Sequence, residues 1–332
     1  MRVLVTGCGG FLGSEIVRQL LNRGDEVFGI SRREYPELVR QGMVAVRGDL
    51  TDGKFVASSV ADVDAVVHTA AVAGVWGPWQ HFYQNNTVAT EHVIAACRDR
   101  GIGRLVFTSS PSVTFGGDHQ RGVDESEPYP DRWLCHYPHT KALAEQAVLA
   151  ADDPSGLRTL ALRPHLIWGP DDPHLLPRML DRARKKRLRI VGDGTNRVDT
   201  VHVINAGAAH LDALDALAKD PDRSAGRAYF IAQDEPVNCW DWIANVCRFG
   251  GVAPPQKRIS AAAAYRVGAV LEAVYRMTGK TDEPPMTRFV AAQLAHDHYF
   301  DISSAKDRLG YHVRIGMQDG LDQLEQAWSG RS

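Results

Sequence analysis

A chain of 332 residues, 44% hydrophobic and 23% charged, has material for one large domain or a main domain with a smaller one attached. Its formal net charge of −2 gives no general pull toward nucleic acid or an anionic membrane. The five cysteines, Cys8, Cys97, Cys135, Cys239 and Cys247, are scattered without a Cys-x-x-Cys pair, which argues against a disulfide framework or zinc site and suits a reducing cytoplasm.

Val3, Leu4 and Val5 make a short apolar run, which reads as a strand buried on both faces. Gly7, Gly10 and Gly13 follow at three-residue spacing, and a helical pattern starts at once with Phe11, Leu12, Ile16, Val17, Leu20 and Leu21. Strand, glycine turn and helix in this order open a dinucleotide-binding βαβ unit. One glycine makes the tight turn, one admits the backbone close to a pyrophosphate, and one lets helix pack against strand. The free N–H groups of the helix start then receive the phosphate charge. Because the strand begins at residue 2, no leader is expected ahead of it, and the chain is assigned to the cytoplasm.

Residues 26–30 read as the second strand, with Ser31, Arg32 and Arg33 at its end. An acid there bonds the ribose 2′-hydroxyl of NAD, whereas arginine suits the 2′-phosphate of NADP. No acid precedes Glu34, so NADPH is expected in preference to NADH. Residues 44–46 form a third strand before Gly48-Asp49-Leu50, and 64–68 a fourth, ending in Thr69-Ala70-Ala71. A helix is expected over 79–100, with Asn85 and Asn86 inside it, and a fifth strand over 105–107 leads into Thr108-Ser109-Ser110-Pro111-Ser112. The alternation predicts an α/β fold, a Rossmann-type doubly wound parallel sheet.

A polar loop over 116–133 precedes His136-Tyr137-Pro138-His139-Thr140-Lys141, and the run that follows is strongly helical in propensity. Residues 160–162 give a sixth strand, stopped by Arg163-Pro164. Beyond 165 the alternation weakens into helical patches at 175–186, 203–217, 240–249 and 261–277, with strand-like runs at 189–191 and 228–231. Residues 1–165 therefore read as the NADP-binding domain, with 193–218 returning to it, and 166–332 mainly as a smaller substrate-binding lobe over the carboxyl ends of the strands.

Tyr137 and Lys141 lie four apart and share a helix face. A phenol has a reference pKa of about 10. A nearby ammonium and an oxidised nicotinamide ring favour the phenolate, so Tyr137 is expected to exchange a proton with a carbinol or ketone oxygen. Ser110 stands at a strand's carboxyl end, placed to hold the same oxygen.

Thr6-Gly7-x-x-Gly10-x-x-Gly13, Ser110, Tyr137-x-x-x-Lys141 and Arg163-Pro164, in this order, resemble the extended short-chain dehydrogenase/reductase family over essentially the whole chain. Residues 108–113 and 137–145 look like its 3β-hydroxysteroid dehydrogenase-type branch. Residues 73–77, 163–170, 174–178, 191–194 and 284–289 are similar to a group of bacterial 2-alkyl-3-oxoalkanoate reductases of olefin biosynthesis. The resemblance implies that Tyr137 is the proton donor or acceptor, that Lys141 binds the nicotinamide ribose and tunes Tyr137, and that Ser110 polarises the carbonyl, with Ser109 and Ser112 as alternatives. It puts Gly7, Gly10, Phe11, Leu12 and Gly13 on the pyrophosphate, Asp49 and Leu50 on the adenine, Ala70 and Ala71 on the adenosine side, and Asn86 and Pro164 among the cofactor-binding residues, Asn86 in an Asn-x-x-x-Thr motif with Thr90. Cys8 departs from a frequent glycine, as a loop side chain, and Ser31-Arg32-Arg33 replaces the acid of NAD-specific members.

The implied reaction is NADPH-dependent reduction of a ketone on a long, hydrophobic small-molecule substrate, foremost a 2-alkyl-3-oxoalkanoic acid. The alternatives are 3β-hydroxysteroid dehydrogenation with or without decarboxylation, dihydroflavonol-type reduction, sugar-nucleotide epimerisation, and a non-catalytic NADP-binding redox regulator. A homodimer through the helices at 79–100 and 137–150 is implied as well, with no nucleic acid partner and no metal. His136, His139, His165 and His174 are left as loop or pocket-lining residues, and His296-Asp297-His298 as surface. The basic run 182–187 reads as a solvated helix face, or as an attractor of a carboxylate or an acyl-carrier partner. The amphipathic stretch 261–277 carries too many charges for a membrane span and is read as pocket cover, with peripheral lipid contact and partner contact as alternatives.

Overall fold

The computed structural model describes residues 1–60 and 62–329. Its centre is a seven-stranded sheet of β1 (Arg2–Thr6), β2 (Glu26–Ser31), β3 (Val44–Arg47), β4 (Ala65–His68), β5 (Arg104–Thr108), β6 (Arg158–Pro164) and β7 (Arg227–Ile231). The strand order is β7-β6-β5-β4-β1-β2-β3 with every neighbour parallel. After β3 the chain crosses back to pair β4 with the free edge of β1. That reversal opens a crevice at the strands' carboxyl ends, where open α/β sheets take their ligands.

The helices are α1 (Phe11–Arg23), α2 (Ala89–Asp99), α3 (His136–Leu149), α4 (Leu175–Arg184), α5 (Val203–Lys219), α6 (Cys239–Phe249), α7 (Ala261–Met277), α8 (Arg288–Ala295) and α9 (Met317–Ser329), with further short segments between them. Successive strand residues point to opposite faces, so β1 serves two cores at once. Val3 and Val5 pack with Ile16 of α1 and Ala209 and Leu214 of α5, while Leu4 packs with Val93 of α2 and Ala144 and Val148 of α3. Burial on both faces is why these strands are continuous apolar runs. A third core, built on Trp168, Leu180, Trp240, Trp242, Val246 and Leu324, lies outside the main sheet.

One sequence expectation is corrected here and two are refined. Residues 228–231, grouped with the smaller lobe, belong to β7, the edge strand paired with β6 from Arg227↔Leu160 to Ile231↔Pro164. Tyr229, Phe230 and Ile231 are almost wholly buried there, so the run completes the main sheet. The helix expected over 79–100 is present as one unbroken run from 79 to 99, with a π-helical turn (Tyr83–Val88) between a short α-helix (Trp79–Phe82) and α2. Cys8 lies in the turn between β1 and α1, as expected of a loop side chain, but is fully buried there, its Sγ 3.6 Å from the Ile30 carbonyl oxygen and packed beneath β2. Among the described residues, no helix is long and apolar enough to cross a membrane.

Candidate active site

One cavity of about 960 Å³ runs along the sheet's carboxyl edge. Gly7, Gly10, Phe11, Leu12, Gly13, Ser31, Arg32, Arg33, Asp49, Leu50, Ala70, Ala71, Ser110, Tyr137, Lys141 and Pro164 all line it. The glycine turn is shaped by backbone needs. Gly7 has φ +69°, and a Cβ there would come within 2.8 Å of the Ala70 backbone. A Cβ on Gly13 would run into the Gly7 carbonyl oxygen, so helix and turn approach this closely only without a side chain. Gly10 caps α1 without a side-chain acceptor, and the first turn holds no acid. Its N–H groups and the positive end of the helix are thereby left for an anion in the cavity.

Arg32 and Arg33 stand at the end of β2, exposed, on the wall shared with Asp49 and Tyr35. Asp49 accepts from the Thr51 N–H and hydroxyl, each at 2.9 Å, which holds its carboxyl below the usual range. A dinucleotide fits these residues: an uncapped helix start lies between a basic rim and a wall of small residues, Ala70, Ala71 and Ala73.

At the other end stand Ser110, Tyr137 and Lys141. Tyr137 and Lys141 share the first turns of α3, while Ser110 begins the single 3₁₀ turn after β5. The Ser110 hydroxyl lies 2.8 Å from Ser112 Oγ and lines the same end of the cavity as the Tyr137 phenol. Lys141 is buried, donates from Nζ to the Thr108 carbonyl at 2.6 Å, and sits 4.0 Å from the Phe107 ring centroid. Burial pushes Tyr137 up to about 12, with the neighbouring Ser110 hydroxyl acting downward. Burial also pulls Lys141 down to about 7, against the Glu145 carboxylate. A lysine that sheds its proton near neutrality is a weak electrostatic neighbour, and here its Nζ is aimed at a carbonyl. A neutral phenol is the form that donates a proton to a ketone oxygen.

Asn86 does not line the cavity. It is buried in the π-helical turn, where Oδ1 accepts from the Val72 N–H at 2.7 Å and Nδ2 donates to the Val72 carbonyl and to Thr140 Oγ1, both at 3.1 Å. Its amide thus ties the wall after Ala71 to the helix bearing Tyr137. A buried relay lies beneath it. The Ala70 N–H reaches Thr6 Oγ1 at 3.3 Å, Thr6 Oγ1 meets His68 Nδ1 at 2.6 Å, His68 Nε2 meets Thr90 Oγ1 at 3.0 Å, and Thr90 donates to the Asn86 carbonyl at 2.5 Å. Because Thr90 donates onward, His68 donates from Nε2 and accepts at Nδ1, and burial holds it neutral with its pKa near 3.

Sequence reasoning passed over Tyr35, Val72, Leu166 and Asp172, which also line the cavity. Gly9 carried a signal for Tyr35, because a Cβ there would enter that ring. Of the four histidines, His174 is on the cavity wall, His136 and His139 pack on Trp79, and His165 Nε2 meets His298 Nδ1 at 2.6 Å. His298 is therefore buried rather than superficial, in a strand (His298–Phe300) under Phe115. Within the basic run, Arg182 is half-buried and pairs with Glu283 at 2.8 Å.

A parallel doubly wound sheet with a glycine turn at its switch point and a serine, tyrosine and lysine at the far end of the same crevice defines an NAD(P)-dependent oxidoreductase of the extended short-chain type. More narrowly, residues 4–260 match the 3-beta hydroxysteroid dehydrogenase/isomerase family, and the chain belongs to it. It is 46% identical over 328 residues to a 2-alkyl-3-oxoalkanoate reductase of Stenotrophomonas maltophilia, covering 98% of both chains. A 2-alkyl-3-oxoalkanoate reductase of Shewanella oneidensis is 44% identical, over 97% of this chain and 84% of its own. Among solved structures, MoeE5 in complex with UDP-glucose and NAD superposes with a TM-score of 0.74 at 27% identity, covering 100% of this chain and 99% of its own.

Proposed function

We infer that this protein is an NADPH-dependent ketoreductase that converts a 2-alkyl-3-oxoalkanoic acid, or a ketone of similar apolar bulk, to the secondary alcohol in the cytoplasm. The observation that carries the reading is the single cavity joining a basic rim at Arg32 and Arg33 to the Ser110, Tyr137 and Lys141 cluster. Reductases of that name are similar to this chain over nearly its full length, which supports the substrate class.

The bound nicotinamide supplies the hydride. Ser110 Oγ and Tyr137 Oη orient the ketone oxygen between two hydroxyl donors, and Tyr137 Oη gives up its proton as negative charge develops there. Lys141, carried one helical turn on, holds the ribose side of the site. Arg32 and Arg33 take the 2′-phosphate, for which a guanidinium fork is suited. A homodimer through the helical region 79–99 and α3 rests on the family resemblance and is read out by sedimentation velocity.

Nicotinamide absorbance with NADPH or NADH and a 2-alkyl-3-oxo acid tests the reading, with a 3β-hydroxysterol and NADP⁺ or NAD⁺ run in parallel. Turnover of the oxo acid, faster with NADPH, is expected, and Tyr137→Phe should lower kcat by about 10²–10⁴-fold while leaving cofactor affinity nearly unchanged. Turnover of the sterol alone would transfer the same residues to a steroid substrate. Wild-type rates in Tyr137→Phe would remove the proton donor from this scheme.

A further inference from the structure

Helix α7 has one face committed to the fold and one that is not. Inward, Ala264, Gly268 and Glu272 are buried. A Cβ on Gly268 would strike the backbone of Thr287 and Arg288, and Glu272 accepts from the Arg288 N–H at 2.7 Å and from its Nε at 3.0 Å. Outward, Ala263, Val267, Val270, Val274 and Met277 recur at alternating spacings of four and three, which puts them in one stripe. Among the described residues, five of the eight exposed large apolar side chains sit on this helix: Tyr265, Val267, Val270, Val274 and Met277. Val270 is 62% exposed and Met277 79%. Single apolar residues at a surface need no explanation, but a contiguous stripe marks something that covers it.

The charge around the stripe selects the occupant. Arg266 and Arg276 on the helix and Lys280 just beyond it are exposed; Glu272, the only acid on the helix, is buried and shared between Arg288 at 2.8 Å and Arg276 at 3.4 Å, so the helix with these partners carries more positive than negative charge, with Asp282 the one exposed acid close by. A second copy packed here across a twofold axis would bring these cations toward their own copies, and like charges oppose that contact. An apolar stripe bordered by arginine and lysine is complementary to an anionic lipid surface, with its apolar side chains at the boundary of headgroups and acyl chains.

The helix also touches two segments that lead toward the reaction cavity without lining it itself. Lys280 accepts at its carbonyl from Trp76 Nε1 at 3.3 Å, and Trp76 meets Tyr275 edge-on at 6.2 Å, in the segment that starts at the cavity-lining Ala73. Ala261, Ala262, Tyr265 and Arg266 wall a second cavity of about 410 Å³ that reaches Leu134, in the turn leading to Tyr137.

We propose that the outer face of α7 docks the protein on an anionic bilayer surface, so that a substrate with long apolar chains passes between membrane and active site beside this helix. The docking stands on the helix itself; the passage of substrate rests on the ketoreductase reading.

Co-sedimentation with phosphatidylglycerol and phosphatidylcholine vesicles tests it, using the wild-type chain, Val270→Glu, and Val270→Glu with Met277→Glu. The wild type should partition to phosphatidylglycerol about tenfold or more above phosphatidylcholine, with salt weakening the binding. The double variant should lose that partitioning by about tenfold, and the single variant by less, while the melting temperature and turnover of a short, water-soluble 3-oxo acid stay at wild-type values. Equal partitioning of all three proteins overturns the proposal, as does absence of wild-type binding to phosphatidylglycerol. A dimer in sedimentation velocity that the double variant splits also overturns it, because the stripe then belongs to a second copy. Vesicle binding without turnover of either the short or a vesicle-borne oxo acid would count against the ketoreductase reading and leave the docking in place.

Discussion

At the scale of single residues, the site's protonation is governed by burial more than by the pair of charges that the spacing of Tyr137 and Lys141 suggests. Lys141, pulled to about 7, changes charge within the working range of the enzyme. Its unliganded form is mostly ammonium at pH 6 and mostly free amine at pH 8.5. An anionic cofactor favours the ammonium, so binding above neutrality should take up a proton, and cofactor affinity should fall as pH rises, by about tenfold per unit at most. Calorimetric titration of NADPH in buffers of different ionisation enthalpy, from pH 6 to 9, reads both quantities. Lys141→Arg keeps its charge throughout and should flatten the profile. Affinity that rises with pH in the wild type would contradict a depressed lysine.

At the scale of elements, Asn86 shows how a sequence motif was located correctly and read for the wrong contact. Its position inside a helix beside the site was legible, but not the π-helical turn that turns the amide toward Val72 and Thr140. Asn86→Ala would leave the Val72 N–H and carbonyl and the Thr140 hydroxyl without this partner, at a cost of about 1–3 kcal/mol. The cavity wall after Ala71 would also lose its tether, so KM for the cofactor should rise several-fold, together with a lower melting temperature. An unchanged KM alongside a lowered melting temperature would restrict Asn86 to structural support. The same contrast runs through the fold. The first βαβ unit, the strand alternation and the Tyr137–Lys141 face were readable because each depends on spacing within a few residues. The place of β7 depends on pairing with a strand whose sequence lies more than sixty residues upstream, and the burial of Cys8 and His298 depends on what packs over them. Local pattern holds no record of such long-range partners.

At the scale of the whole molecule, the fold depends on histidines kept neutral inside it. His68, His202, His210 and His298 are almost fully buried, and burial lowers them to about 3, 4, 4 and 4. In the unfolded chain each takes up a proton near its reference value of about 6.5. Between that value and about pH 4 the unfolded state therefore binds more protons than the native one, and stability falls as pH falls. Each histidine contributes on the order of 2 kcal/mol to that loss by pH 5. Asp199 acts in the opposite sense: burial raises it to about 7, so the native state holds its proton where the unfolded chain has released it. Four groups outweigh one, and the melting temperature should drop steeply below pH 6, with more than one proton taken up per unfolding event. His210 is a useful single probe, because its Nε2 meets Thr108 Oγ1 at 2.8 Å and its Nδ1 the Ala206 carbonyl at 2.7 Å, bridging α5 to the end of β5. His210→Gln keeps a polar side chain there without the titration and should make the melting temperature less sensitive to pH between 6 and 5. A variant as acid-labile as the wild type would exclude His210 from the group responsible.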